Sequence, residues 1–285
     1  MKKFLIITNP SKDQGLQLTE TIARYITSNG CSCQTMIAHK KKDSSFRYTD
    51  PSLIPEDTDC IMVLGGDGTM LQAARDVVQL SMPLIGVNLG NMGFLAEVDR
   101  KSLYSALDKL MRDSCEMEER MMLSGEVYRG EEKLGEDIAL NDITISREGN
   151  HLRVVRLINY VNGEYLTNYQ ADGIVVATPT GSTGYSLSVG GPIVSPNAEM
   201  MIMTPIAPHT LTARSIVLPS QDVVTVELGP GRHPDVEKGL VCFDSDTVIN
   251  MVSGDRVIIR KAALKTRIIR LNRLSFVEVL RQKMD

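Results

Sequence analysis

The sequence predicts an α/β domain with a parallel sheet at residues 1–118, followed by a β-rich, mainly antiparallel domain at residues 119–274. Up to about residue 100, short apolar runs alternate with amphipathic helical segments, as in βαβ proteins. From about residue 119, short strand patterns follow one another with turn signals between them. The amphipathic segment 275–285 is expected to form a short helix that completes the first domain. A length of 285 residues is sufficient for two ordinary domains.

The first half is expected to contain strands at FLIIT, CSCQTMIA, IMVLGG and PLIGVNLG, and helices at LQLTETIARYITSNG and LYSALDKLMRD. Gly30 is the expected end of the first helix, because glycine readily adopts the left-handed conformation that follows many helices. Residues 39–57 are polar and interrupted by proline, so they are expected to form a loop. Its basic residues are Lys40, Lys41, Lys42 and Arg47.

The second half consists of short strand patterns, such as MLSGEVYRG, GIVVATP, SIVLP, DVVTVEL, DRVIIRKA and KTRIIRL. Within LRVVRLINYVNGEYLTNY, the pair Asn162-Gly163 is a strong hairpin signal, because both residue types tolerate positive φ. These features favour antiparallel pairing.

Composition excludes several classes of function. The net charge of −4 gives no general attraction to nucleic acid or to an anionic membrane, so neither is an expected partner. The five cysteines include no C-x-x-C pair, which argues against a zinc site or a disulfide framework and favours a reducing compartment. No apolar run approaches the ~20 residues of a membrane span, and the N-terminal run is too short for a signal peptide. We therefore expect a soluble, cytoplasmic protein.

A glycine-rich turn interrupts the segment IMVLGGDGTMLQAAR at residues 61–75. An apolar strand leads into it, and helical spacing of apolar residues resumes after it, so a helix is expected to begin near Thr69. Glycines at such a turn let a ligand approach the main-chain N–H groups. An anion-binding turn alone does not need a carboxylate, so Asp67 requires an explanation of its own. Capping of the helix is the purely structural one.

Two common nucleotide motifs are absent from the sequence. No Gly-Lys pair occurs, which excludes a Walker A loop, and Leu71 stands where a dinucleotide fingerprint has its third glycine. A second glycine-rich stretch, at residues 171–196, is rich in hydroxyl side chains and suits a ligand with many acceptors. Tyr185 offers an aromatic face there that can stack on a base. Asn141 and Asp142 lie inside an apolar strand pattern, a local inconsistency typical of functional sites.

Together, GGDGT after a strand, NLGNMGFLAEV, ALNDITI, DGIVVATPTGSTGYSLSVGGPIVSP and PIAPHTLTARSIVLP resemble the NAD kinases over nearly the whole chain. GGDG alone is shared with diacylglycerol and sphingosine kinases and, more loosely, with 6-phosphofructokinases, whereas the TPTGSTGYSLSVGGP stretch is specific. The resemblance implies phosphoryl transfer from ATP or polyphosphate to the 2′-hydroxyl of the adenosine ribose of NAD, which yields NADP. It also implies an α/β domain and a β-rich domain, a divalent cation such as Mg²⁺, a cytoplasmic location, and a homotetramer or homodimer.

The resemblance also assigns roles to individual residues. Asp67 corresponds to the proton acceptor, and the phosphate loop comprises Gly65, Gly66, Gly68 and Thr69. The NAD-binding positions are Asp67, Gly68, Asn141, Asp142, Arg153, Asp172, Thr183, Gly184, Tyr185, Ser186, Leu187, Ser188, Ala207 and Asp246. The chain departs from the family pattern at two of them. Many relatives carry Glu at the place of Asp142, and Asp246 replaces a usual glutamine.

Alternatives remain open at the level of sequence. A lipid or sugar kinase uses the same GGDG loop but needs a different acceptor pocket, and a non-catalytic sensor binds the dinucleotide without turnover. No dedicated carboxylate cluster for a metal is visible, so the donor phosphates are expected to hold the cation. The basic loop at 39–57 follows a strand of the same sheet as the GGDG turn. One hypothesis is that it attracts the phosphoryl donor, and the alternative is a solvated charged surface.

Overall fold

The structure is a computed structural model that describes residues 1–39, 47–90, 93–149, 154–231, 236–271 and 275–284. The chain forms two compact units. Unit 1 comprises Met1–Arg120 and Leu264–Asp285, and unit 2 comprises Met121–Ala263. No helix in the described ranges is both long enough and apolar enough to cross a membrane. All five cysteines lie in these ranges, and all are free.

The strands are β1 (Lys3–Thr8), β2 (Ser32–Ile37), β3 (Cys60–Gly65), β4 (Leu84–Asn88), β5 (Ala96–Val98), β6 (Glu116–Arg129), β7 (Glu132–Ala139), β8 (Asp142–Arg147), β9 (Val155–Val161), β10 (Glu164–Ala171), β11 (Gly173–Ala177), β12 (Met200–Ile206), β13 (Ile216–Pro219), β14 (Val224–Leu228), β15 (Lys238–Phe243), β16 (Thr247–Val252) and β17 (Arg256–Arg270). The α-helices are α1 (Gln17–Ser28), α2 (Asp67–Val77), α3 (Leu103–Met111), α4 (Tyr185–Ser188) and α5 (Phe276–Met284). Single turns of 3-10 helix cover Gln14–Leu16, Pro51–Leu53, Val78–Leu80 and Thr180–Thr183.

Unit 1 is built on a parallel sheet with the strand order β2-β1-β3-β4. β5 and the end of β17 each add a parallel pairing to β4. Strands β3 and β4 are buried at every position, which is why their sequences are continuous apolar runs rather than alternating ones. The helices contribute Ile22, Ile26, Leu107 and Leu110 to the core of this unit.

Among the described residues, unit 2 contains two sets of antiparallel strands and the antiparallel pair β6–β7, which joins the second set at β17. One sheet has the order β13-β12-β11-β8-β15-β16, and a second set pairs β10, β9, β14 and β17 in that order. Alternate residues of both sets form one core, with Phe243 as its largest fully buried side chain. The predicted hairpin joins β9 to β10, with φ of 53° at Asn162 and 82° at Gly163. The predicted fold class, a parallel α/β part and a mainly antiparallel β-rich part, is confirmed.

One predicted boundary is wrong by two residues. The sequence places the start of the helix after the glycine turn near Thr69, but α2 begins at Asp67. Gly66 is extended, with φ −119° and ψ −172°, so the chain enters the helix directly from the strand. The low helix propensity of Gly68 suggests a later start, and tertiary packing overrides that propensity.

Candidate active site

The glycine turn lies at a switch point of the parallel sheet of unit 1. The order β2-β1-β3-β4 means that the chain leaves β1 toward one edge of the sheet and β3 toward the other. In open α/β sheets, ligands bind beyond the carboxyl ends of the strands at such a point. Residues 66–69 directly follow β3, so they occupy the position where a ligand is expected.

The side chains around the turn are fixed by close packing, whereas its tip is open. Asn9, just beyond β1, donates from Nδ2 to Thr69 Oγ1 at 3.2 Å. A Cβ atom at Gly65 would lie 2.4 Å from the same Oγ1, so position 65 requires glycine. A Cβ atom at Gly66 or Gly68 would meet nothing within 4 Å. The turn therefore combines a rigid base with space for a ligand at its tip.

The Asp67 carboxylate is held by a distant backbone segment of unit 1. Its Oδ2 accepts the N–H of Phe94 at 2.8 Å, and its Oδ1 accepts the N–H groups of Leu95 and Ala96, each at 3.2 Å. The cap position of α2 is Gly66, and no side chain caps this helix end. Helix capping is therefore not the role of Asp67. A carboxylate offers about four lone-pair positions, so three N–H bonds leave it able to accept one more hydrogen bond.

Gly93 makes this arrangement possible. A Cβ atom at position 93 would lie 1.8 Å from Asp67 Oδ1 and 2.3 Å from Oδ2, closer than any real contact. The Lys283 ammonium of α5 lies 5.0 Å from the centre of the Phe94 ring, within the range of a cation–π contact. The segment that holds Asp67 is thus itself packed against the C-terminal helix of unit 1.

In unit 2, Asn141 lies between β7 and β8, and Asp142 is the first residue of β8. The Asp142 side chain is buried, and Asn141 is half-buried. Asn141 Oδ1 is buried and accepts no hydrogen bond from the described residues. Because a buried carbonyl oxygen without a partner is costly, it is a natural acceptor for a ligand.

Asp142 has an unusual acidity. Burial, followed by the nearby negative charge of Asp244, raises the pKa of its carboxyl to about 7. The Thr144 hydroxyl donates to Asp142 Oδ1 at 3.2 Å and acts in the opposite direction. Asp142 therefore changes its charge near neutral pH, a property that is frequent among residues of functional sites.

The hydroxyl-rich loop after β11, residues 178–184, packs directly against Asn141. Thr178 donates from its backbone N–H to the Asn141 carbonyl at 2.8 Å and from Oγ1 to the Leu140 carbonyl at 2.6 Å. A Cβ atom at Gly181 would lie 2.1 Å from the Asn141 carbonyl oxygen, and one at Gly184 would lie 3.3 Å from Asn141 Nδ2. The structure thus brings Asn141 together with the start of the predicted NAD-binding segment 183–188.

The side chains of residues 183–188 differ in accessibility. Tyr185 is 43% exposed and Leu187 is 41% exposed, so both can meet a ligand. Ser186 is fully buried, and its Oγ has no hydrogen-bond partner among the described residues. A Cβ atom at Gly191 would lie 2.3 Å from this Oγ. Ser186 therefore faces the interior, whereas Tyr185 faces solvent.

The remaining predicted residues of unit 2 occupy separate places. Asp172 forms an ion pair with Arg147, whose Nε lies 3.1 Å from its Oδ1. Ala207 has φ of 44°, a strained value for a residue with a side chain and one that often marks a functional position. Asp246 lies in the turn between β15 and β16, and Arg153 lies outside the described residues.

The basic loop is anchored to the helix that follows the glycine turn. Asp76 of α2 accepts the N–H of Arg47 at 2.9 Å and those of Tyr48 and Thr49 at 2.8 Å each. The lysines at 40–42 lie outside the described residues. The loop therefore rejoins unit 1 on the helix whose first residue is Asp67.

Comparisons with known proteins decide the family. The family model of the ATP-NAD kinase N-terminal domain matches residues 4–115, and that of the C-terminal domain matches residues 140–271. The NAD kinase of Agathobacter rectalis is 46% identical over 286 residues, a match that covers 100% of this chain and 99% of the relative. The chain belongs to the NAD kinase family. The predicted family and the predicted NAD kinase function are confirmed.

Further relatives agree with this assignment. The NAD kinase of Lachnospira eligens is 42% identical, with 100% of both chains covered. A yeast NADH kinase in complex with NADH superposes with a TM-score of 0.83 at 24% sequence identity, and the match covers 99% of this chain and 87% of the yeast chain. An NAD kinase from Archaeoglobus fulgidus in complex with ATP superposes with a TM-score of 0.72 at 22% sequence identity, and the match covers 93% of this chain and 92% of the archaeal chain. These two structures support the fold.

Membership of the NAD kinase family makes the chain a phosphotransferase and raises the question of its metal. Among the described residues, no group of three or more His, Cys, Asp or Glu side chains is placed to hold an ion. A resident metal centre made of protein ligands does not fit these residues. A magnesium-type cation is often held by substrate phosphates with few protein ligands, and such a cation would arrive with the donor.

Sequence reasoning missed several residues that shape this candidate site. Gly93 lies in the NLGNMGFLAEV motif, but the motif does not reveal that its missing Cβ accommodates Asp67. Asn9 directly follows the first strand. This position could have identified it as a residue at the carboxyl edge of the sheet, where ligands bind. Asp244 is the first acidic residue of FDSDT, and the turn-forming composition of that segment is the feature of the sequence that could have drawn attention to it.

Proposed function

We propose that the protein transfers the terminal phosphoryl group of ATP to the 2′-hydroxyl of the adenosine ribose of NAD, with Asp67 as the proton acceptor. In this step the hydroxyl oxygen forms a bond to phosphorus, its proton goes to the Asp67 carboxylate, and the bond to the leaving ADP breaks. The observation that carries the proposal is the placement of Asp67, which lies at the switch point and is fixed by three backbone N–H groups with acceptor capacity to spare.

The donor phosphates are assigned to the glycine turn of unit 1. Gly66 and Gly68 leave open space at the tip, and the N-terminus of α2 stabilises negative charge there. We take ATP as the donor because the archaeal NAD kinase of similar fold is described in complex with ATP, and polyphosphate is the alternative donor. The cation comes with these phosphates and neutralises part of their charge.

The dinucleotide is assigned to unit 2. Asn141 supports this because its buried Oδ1 has no hydrogen bond from the described residues, and Tyr185 supports it with an exposed ring beside the same segment. The yeast kinase of similar fold is described in complex with NADH, so the assay below is repeated with NADH in place of NAD. The other residues proposed to bind NAD are Asp67, Gly68, Asp142, Arg153, Asp172, Thr183, Gly184, Ser186, Leu187, Ser188, Ala207 and Asp246.

We further propose a cytoplasmic homo-oligomer, a tetramer or a dimer, with functional domain boundaries near residues 118 and 274. β10 is the outer strand of its set, with Tyr165 63% exposed and Leu166 38% exposed, and such an edge is suited to contact a second copy. Leu211 is 96% exposed in the same unit. The free cysteine thiols suit a reducing compartment.

The test is an NADP assay with NAD, ATP and magnesium. Asp67→Asn should lower kcat at least ~100-fold while calorimetric binding of NAD is largely retained, because the side chain keeps its size but can no longer accept the proton. Asp108→Asn, an acid of α3 that accepts a hydrogen bond from Tyr25, is the matched control and should keep full kcat. Near-normal turnover of Asp67→Asn would remove Asp67 from this role.

Two arms of the same assay address the other functions. Replacement of NAD by diacylglycerol or a sugar tests the lipid and sugar kinase alternative, for which we expect no phosphorylated product. A protein that binds NAD but forms no NADP with either ATP or polyphosphate would instead be a sensor.

A further inference from the structure

The turn between β15 and β16 has an unusual backbone. Asp244 and Ser245 are consecutive residues in the left-handed region, with φ of 47° and 59°, and the Asp246 N–H donates to the Phe243 carbonyl at 3.0 Å. These are the features of a type I′ turn, which favours Asn, Asp or Gly first and Gly second. Serine at the second position is strained, and such strain persists where the surroundings impose it.

The Asp244 side chain explains what this turn accomplishes. Its Oδ2 accepts the Leu140 N–H at 2.7 Å, and its Oδ1 accepts the Asn141 N–H at 2.8 Å and the Asp142 N–H at 3.1 Å. The Asp244 backbone N–H donates to the Asp142 carbonyl at 3.0 Å. Four hydrogen bonds therefore connect one residue of the turn to three consecutive residues that include Asn141.

The opposite side of the same segment is also fixed. The carbonyl groups of Leu140 and Asn141 accept hydrogen bonds from Thr178, whose Oγ1 also accepts the Gly181 N–H at 3.1 Å. Thr178 is fully buried. The N–H groups of this segment thus face Asp244, and two of its carbonyl groups face Thr178, so the backbone that carries the Asn141 side chain is held from both sides.

We propose that Asp244 is a positioning residue for dinucleotide binding, which acts through Asn141 by fixing the backbone of residues 140–142 against the 178–184 loop. The inference rests on the proposed function, in which Asn141 contacts NAD. Asp244 itself need not touch the substrate. A carboxylate is required because only two acceptor oxygens can satisfy three N–H donors that point the same way.

The decisive variant is Asp244→Asn, which preserves size but replaces one acceptor oxygen by an NH2 group that faces an N–H donor. We expect Kd for NAD, measured by calorimetry on the full chain without ATP, to rise about tenfold or more, because small misplacement of a binding group is costly. KM for NAD should rise in parallel, and KM for ATP should stay within about twofold. A merely structural role would reduce the amount of active protein and leave both KM values unchanged.

Ser245→Gly is the matched control in the same turn. Glycine accepts the left-handed conformation without strain and leaves the Asp244 carboxylate in place, so both KM values should equal those of the parent. Thr178→Val removes the hydroxyl on the other side of the segment without changing its shape. It should also raise KM for NAD selectively, and it provides the test if Asp244→Asn does not fold.

Asn141→Ala is measured alongside these variants. If it binds NAD as tightly as the parent, the proposed role of Asn141 is wrong, and the positioning role fails with it. If Asn141→Ala weakens binding while Asp244→Asn and Thr178→Val leave Kd for NAD unchanged, only the positioning role is overturned. Selective loss of NAD affinity in all three variants supports both proposals.

Discussion

Replacement of Asp142 by asparagine should change how the stability of the protein depends on pH. The pKa of this buried carboxyl is raised to about 7 from an ordinary value of 3.8, first by burial and then by the charge of Asp244. Between these two values, the folded protein keeps a proton that the unfolded chain releases. The stabilising contribution of this proton is therefore complete below about pH 4 and is lost as the pH rises to 7.

The size of the effect follows from the two pKa values. They differ by about 3, and each pH unit corresponds to about 1.4 kcal/mol, so the full loss is on the order of 4 kcal/mol. Asparagine does not titrate and lacks this loss. Its buried NH2 group carries a cost of its own, but that cost is the same at every pH. The stability of Asp142→Asn relative to the parent should therefore rise by a few kcal/mol between pH 4.5 and pH 8.

Urea denaturation of both proteins at several pH values between 4.5 and 8 measures this difference. The midpoint of Asp142→Asn should move upward relative to that of the parent as the pH rises and level off above pH 7. Thr144→Val serves as a control that removes the hydroxyl bonded to Asp142 and should leave the parent-like pH dependence in place. Parallel pH curves for Asp142→Asn and the parent would refute the reasoning that Asp142 titrates near neutrality in the folded protein.

Two further predictions concern the reaction. Gly93→Ala should lower kcat about 100-fold or more, because its Cβ displaces the Asp67 carboxylate. Gly90→Ala is the control and should retain activity, because a Cβ atom at position 90 meets nothing within 4 Å. Equal steady-state rates for the two variants would contradict this prediction. Tyr185→Ala should weaken NAD binding by roughly 1–3 kcal/mol if the exposed ring stacks on a base. Unchanged affinity for NAD in calorimetry would show that Tyr185 does not stack on the dinucleotide.

Local features of the fold were predictable from the sequence. The apolar run before GGDG predicts β3 because parallel strands are buried on both faces, and Asn162-Gly163 predicts its hairpin because type I′ turns need positive φ at both central residues. The position of Asp67 at the carboxyl end of a strand follows from the same reasoning. In each case the determining interactions lie within a few residues of one another.

The partners of the acidic residues were not predictable. Asp67 binds N–H groups 27 to 29 residues away, and Asp244 binds N–H groups 102 to 104 residues away. No local pattern encodes such pairings. The raised pKa of Asp142 has the same origin, because it depends on the burial of β8 between β11 and β15 and on the return of a turn from another part of the chain.

Asp67 and Asp244 use the same structural device, since each accepts three backbone N–H groups of a distant segment. Asp67→Asn therefore removes two properties at once, the proton acceptor and the anchor of residues 94–96. Gly93→Ala separates them, because it displaces the carboxylate but does not abolish it. If proton transfer dominates, Asp67→Asn should lose considerably more kcat than Gly93→Ala. If positioning dominates, the two losses should be equal, and the double variant should lose no more than either single one.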